Sequence, residues 1–89
     1  MKKQDNSYII YYFKYCIEEL IINGKYQHFK GKFYKLIGIA KNSENSREEF
    51  VVYQGLYDDN QIWIRLKENF LETVIHEGIK QPRFKLIKE

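Results

Sequence analysis

Trp63 and Arg65 are the pair whose types and spacing most directly suggest chemistry. Residues two apart on a strand point to the same side. An indole that can stack on a flat ring would therefore stand beside a guanidinium that can grip phosphate or carboxylate. Tyr53 and Tyr57 fall on one face of the preceding strand by the same count. Arg83, Lys30 and His28 supply further cationic or hydrogen-bonding groups. Together these seven residues suggest a ligand-binding face for an anionic partner: a nucleic acid strand, a nucleotide or a modified base. The structural alternative is that Trp63 packs beneath an N-terminal helix and the lysines form a solvated strand edge that resists aggregation.

His28 also admits a second chemistry. Glu44 lies one hairpin away in the sequence, and a His–carboxylate pair can serve as general acid and base. Against this stands an ordinary half-buried histidine on a strand, and the chain offers no nucleophile elbow or pair of acids in a recognisable spacing. His28 and His76 are the two imidazoles and Cys16 the one thiol, with no ligand spacing around them. No metal and no cofactor is expected, and there is no glycine-rich phosphate loop.

The totals narrow the possibilities. Eighty-nine residues make one small domain, and 44% hydrophobic with 17% aromatic content suits a packed fold. A lone cysteine points to the reducing cytoplasm. The apolar run Tyr8–Phe13 ends at Lys14, too short for a membrane span of about 20 residues. The net charge of +3 is modest, but its distribution is uneven. Residues 25–41 carry Lys25, Lys30, Lys32, Lys35 and Lys41 with no acid, and residues 80–88 carry Lys80, Arg83, Lys85 and Lys88, again with none.

The elements that must position these groups follow in order. Tyr8–Asn23 reads as a helix with Ile9, Phe13, Cys16, Ile17 and Leu20 on one face, ended by Gly24 in the left-handed conformation. YIIYYF at its start also has strand propensity. Short strands follow: Lys25–Lys30, Lys32–Lys41 after a hinge at Gly31, and Glu49–Tyr57, apolar on both faces and so central. Asn42–Glu48 reads as a loop and Asp58-Asp59-Asn60 as a hairpin turn. Gln61–Leu66 returns with Ile62 and Ile64 placed toward the core. Lys67–Glu72 forms one helical turn that sets Phe70 and Leu71 over the end of the fold. Thr73–His76, a turn at Glu77-Gly78, and Pro82–Ile87 close it. Residues 1–24 thus form a helical extension and 25–89 a mainly β domain, a small barrel of five to six strands with one short helical turn.

The ordered motifs Tyr26-x-His28-Phe29-Lys30-Gly31, Tyr34-x-Leu36-Ile37-Gly38-Ile39-Ala40, Val51-Val52-Tyr53-Gln54, Trp63-x-Arg65, Phe70-x-Glu72-x-Val74 and Pro82-Arg83-Phe84 resemble the DUF1653 family over about residues 24–87. The resemblance implies an SH3-like β-barrel of bacterial or phage origin, in which first and last strands pair, and it implies no activity. Asn42 departs from the family pattern, which places a His before Ser-Glu, and Leu66 stands where a Pro usually follows the Arg.

The combined expectation is a non-enzymatic binding module for an anionic ligand. An alternative is a protein-interaction or homodimerisation module built on the apolar segment 8–23. A small enzyme using His28 and Glu44 comes third.

Overall fold

A computed structural model describes residues 20–88. The segment expected to be helical lies outside the described residues except for its last few positions. There the chain makes a tight turn: Gly24 N–H donates to the Ile21 carbonyl at 2.9 Å, and Asn23, not Gly24, takes the left-handed conformation at φ 68°. Gly24 is needed for room, because a Cβ there would stand 2.9 Å from the Ile21 carbonyl oxygen.

Seven strands and one helical turn follow: β1 Lys25–His28, β2 Phe33–Asn42, β3 Asn45–Gly55, β4 Ile62–Leu66, α1 Lys67–Phe70, β5 Thr73–His76, β6 Ile79–Pro82 and β7 Phe84–Leu86. Five of them form an antiparallel sheet in the order β4-β3-β2-β1-β7, and β5 and β6 form a separate hairpin. The first strand does pair with the last, His28 opposite Phe84 and Gln27 opposite Lys85. The closed barrel does not form, since β4 and β7 remain the two edges of the sheet. The sheet instead curls until Arg65 on one edge strand reaches the Phe84 ring on the other, 5.6 Å from its centre.

Local chemistry explains most boundaries. Gly31 at φ 113° allows the turn from β1 to β2, and Glu77 and Gly78, both at positive φ, make the tight β5–β6 turn. A bulge between Leu36 and Gly38 shifts the register of β2 against β3 and bends it. The expected loop at Asn42–Glu48 is mostly strand, because β3 starts at Asn45 and Lys41 pairs with Glu49. Asn42 makes this possible: its Oδ1 accepts from Glu44 N–H at 2.9 Å and its Nδ2 donates to Glu48 at 2.9 Å. Polar composition marked the exposure of this hairpin, not an absence of pairing. Pro82–Ile87, read as one strand, is two, divided at Arg83, which leaves the hairpin β5–β6 and enters the main sheet. Leu66 sits at φ −53°, ψ 138°, conformational values close to those a proline imposes.

The core is small and mostly aromatic: Tyr26, Leu36, Val51, Tyr53, Phe70 and Phe84 are buried, with Leu20, Tyr34 and Leu86 packed against them. As expected, α1 delivers Phe70, which stacks on Phe84 at 4.1 Å and 7°. Phe84 also meets Tyr34 at 5.6 Å and Tyr53 at 5.3 Å, so rings from β2, β3, β7 and α1 converge on it. Edge-to-face packing of this kind favours the curl, because each ring edge seeks the face of its neighbour.

Candidate functional site

The face expected to be formed by Trp63 and Arg65 exists, but on the other side of the sheet. Val51 lies opposite Arg65 and Tyr53 opposite Trp63 in the β3–β4 register. Partners in an antiparallel pair share a face, and Val51 and Tyr53 are the buried side of β3. Arg65 and Trp63 therefore point into the concave side, while Ile62 and Ile64, expected in the core, are 54% and 62% exposed on the convex side. The reason is parity with β3. Its buried residues fix the inward side, and at the edge strand that side can accept an arginine whose head reaches across aromatic rings.

Arg65 is half-buried. Its Nε donates to the Tyr53 hydroxyl at 3.2 Å, and its guanidinium carbon stands 5.6 Å from the centre of the Phe84 ring on β7. No described carboxylate pairs with it, and no described residue accepts from its Nη groups. Trp63, two positions back and 46% exposed, lies toward the rim of the same face.

His28 borders this concave surface from β1. Its ring packs edge-on against Phe84 at 5.0 Å and tilts against Phe29 at 4.4 Å. Its Nδ1 accepts from the Lys30 backbone N–H at 3.1 Å, which assigns the proton of the neutral ring to Nε2. Burial, and then the nearby charges of Arg65, Arg83 and Lys30, hold its pKa below the ordinary histidine value. The pairing of His28 with Glu44 does not occur. His28 precedes the turn into β2 and Glu44 lies beyond the far end of that strand, roughly 30 Å away at about 3.3 Å per residue.

Tyr34, which the spacing did not single out, links the tyrosines. It packs edge-on against Tyr53 at 5.3 Å and Tyr57 at 5.4 Å, and its hydroxyl shares a hydrogen bond with that of Tyr57 at 2.8 Å. Burial and that bond push its pKa well above the usual phenol value, so the hydroxyl stays protonated. Its position two residues before Leu36, on the inward parity of β2, was the available signal. Lys32 places its ammonium over the Tyr57 ring at 4.2 Å.

The remaining expected residues divide. Lys30 is exposed, with its ammonium 5.8 Å from the Phe29 ring centre. Arg83 is occupied: its Nε donates to the Asn69 carbonyl at 3.1 Å and its Nη2 to Glu72 at 3.0 Å. That clamp ties α1 and the following residues to the start of β7, so Arg83 adds positive potential more than a vacant donor. Among the described residues no group of three or more His, Cys, Asp or Glu is placed to hold a metal. No described helix is long and apolar enough to cross a membrane.

A curled five-stranded antiparallel sheet, with a helical turn plugging one side and an arginine laid against its aromatic interior, defines a small mainly β domain. The chain belongs to the DUF1653 family of proteins of unknown function, whose model matches residues 24–86. A crystal structure of a DUF1653 protein from Bordetella bronchiseptica is similar to it, with a TM-score of 0.66 and 36% sequence identity. The alignment covers 73% of this chain and 85% of that one. No curated protein matches the sequence.

Proposed function

We propose that this domain is a non-enzymatic binding module for an anionic, ring-bearing ligand of the nucleotide class, held on the concave face. The observation that carries the reading is Arg65: a half-buried guanidinium with Nε fixed by Tyr53, no described carboxylate partner, and both Nη groups open. Removing a guanidinium from water without a counter-charge is unfavourable, and a bidentate phosphate or carboxylate offsets that cost. Trp63 stands about 6.6 Å further along the strand on the same face, a spacing at which an indole can stack on a base whose phosphate meets Arg65. Lys30 and Arg83 add attraction at longer range, and His28, held neutral, offers its Nε2 proton as a hydrogen-bond donor.

The test is a thermal-shift and calorimetric comparison of thymidine monophosphate with thymidine at low and moderate salt. The nucleotide is expected to raise the melting temperature, the nucleoside to do so far less, and the effect to weaken with salt. Equal responses to both would remove the anion from the proposed ligand.

A second reading is a protein-interaction or dimerisation module; the sequence places its seam in segment 8–23, and the described residues offer a separate apolar surface. Ile62 and Ile64 are exposed on the convex face of the edge strand β4, where half-buried Val52 of β3 lies opposite Ile64. Light scattering on the full chain tests it: a dimer weakened by Ile64→Lys supports this reading, and a monomer at high concentration excludes self-association.

A further inference from the structure

A second cationic surface lies on the opposite side of β1 and β7. Gln27 and Lys85 are register partners on these strands. Both alternate with the inward Tyr26 and Phe84, so they point to the convex side. There they meet Lys80 and Gln81 from β6 across a groove of about 330 Å³ that His28 and Phe29 also line. No acidic residue lines it. The groove is held by the main chain: Phe29 N–H donates to the Arg83 carbonyl at 3.0 Å, and Arg83 N–H to the Glu72 carbonyl at 2.9 Å. The Phe29 ring packs edge-on against His76 at 5.1 Å, fixing the β5–β6 hairpin beside the β1–β2 turn.

The groove thus brings together lysines from two separate elements, and no described carboxylate pairs with either. Two ammonium groups converging on one concavity repel each other, and an anion between them reverses the sign of the interaction. Gln27 Nε2 donates to the Gly31 carbonyl at 3.1 Å and Gln81 Nε2 to the Ile79 carbonyl at 3.3 Å; each amide keeps its second N–H for a phosphate oxygen, as positioning contacts to a nucleic-acid backbone commonly use. His28 borders this groove and the concave face alike. The two surfaces are therefore joined around the β1–β2 turn, with Lys30 at that turn.

We infer that the groove formed by Gln27, Lys80, Gln81 and Lys85 binds the phosphodiester backbone of a single-stranded polynucleotide whose terminal or flipped nucleotide occupies the Arg65 face. The inference rests on the nucleotide reading of Arg65 and deepens it: a mononucleotide needs only the first surface, and a strand uses both. The groove supplies charge and amide donors without base-edge selectivity, so its grip on the backbone is independent of sequence.

The experiment measures binding of thymidine monophosphate and of a short single-stranded oligothymidylate between about 50 and 200 mM salt. It compares the wild-type chain, Arg65→Ala and the double variant Lys80→Ala/Lys85→Ala. Lys80 and Lys85 are exposed, so their removal leaves the fold intact, checked by thermal melting. The oligonucleotide is expected to bind more tightly than the mononucleotide. In the double variant the logarithmic salt slope for the oligonucleotide should fall by about 1.4, about 0.7 for each phosphate no longer neutralised. Mononucleotide affinity should not change, and Arg65→Ala should weaken both ligands. An oligonucleotide bound no more tightly than the mononucleotide, or an unchanged slope in the double variant, overturns the groove and leaves the Arg65 reading standing. Indifference of both ligands to Arg65→Ala overturns the Arg65 reading, and absence of binding by either ligand overturns both.

Discussion

Arg65 donates through Nε to the hydroxyl of Tyr53 at 3.2 Å, and this bond sets the direction of the whole guanidinium. Tyr53 lies diagonally across on β3, two residues along from the register partner of Arg65, and its ring is buried. A buried ring anchors the hydroxyl, the hydroxyl fixes Nε, and the planar fork then presents both Nη groups in one orientation. A lysine at this position would keep the charge and lose the fork.

Tyr53→Phe isolates that relationship. It keeps the buried ring and deletes the acceptor. The expected loss of stability is about 1 kcal/mol, the usual worth of a partly exposed hydrogen bond. Affinity for thymidine monophosphate should fall as well, because Arg65 is no longer pre-oriented. Denaturant melts and calorimetry measure the two effects separately. Unchanged affinity with lowered stability would show that Tyr53 serves only the fold.

The pH dependence of stability should carry the signature of His28. Its folded pKa lies below the unfolded value of 6.5. As pH falls through about 6.5 the unfolded chain takes up a proton that the folded chain refuses, so stability declines until the folded pKa is passed. Above the unfolded pKa the contribution is constant. His28→Gln should flatten that part of the curve of melting temperature against pH between about 7 and 5. An identical decline in the variant would assign it to other groups. Anion binding acts in the opposite sense, since a phosphate beside His28 favours the imidazolium.

Phe70 carries much of the architecture for its size. It arrives on a single helical turn, is 2% exposed, stacks on Phe84, and meets Tyr26 and Tyr53 edge-on at 5.5 Å each. Phe70→Ala should cost about 3–5 kcal/mol, a large fraction of the stability of a domain this small. The variant is expected to melt broadly or be unfolded at room temperature by circular dichroism. A loss below about 1 kcal/mol would mean that neighbouring rings collapse into the space.

What the sequence conveyed was local. A run apolar on both faces marked β3 and alternation marked β4, the turn residues Asp58 to Asn60 and Glu77-Gly78 fell where expected, and Lys67–Phe70 formed its helical turn. The parity that unites Trp63 with Arg65 was legible, but the side they face was not. Both parities of IWIRL contain apolar residues, and the choice is made by Val51 and Tyr53 on the neighbouring strand. The Asn42–Glu48 hairpin was hidden by its polarity, since exposed strands need not alternate.

Non-local convergence was the less legible part. Arg65 reaches Phe84 only because the sheet curls, and the curl depends on the bulge at Leu36/Gly38 and on rings from four elements. Tyr34 shares its parity with Leu36, which marks it as inward, but its link to Tyr53 and Tyr57 is a contact between distant parts of the chain that spacing alone does not show. His28 packs against the rings of Phe29, Tyr34 and Phe84, not against Glu44, which lies beyond the other end of β2. Arg83, expected among the ligand-binding residues, is bonded to Glu72 and Asn69, partners that its place in the sequence did not disclose.

The central claim is that Arg65 receives an anion on an aromatic face, and one measurement addresses it directly. Calorimetric titration of thymidine monophosphate into the wild-type chain and into Arg65→Lys, at matched pH and low salt, separates charge from geometry. The predicted result is measurable binding by the wild-type chain and at least a roughly tenfold loss in Arg65→Lys, about 1.4 kcal/mol, because a point charge cannot replace the oriented fork. Equal affinity in the two proteins, with both melting at the same temperature, would contradict it.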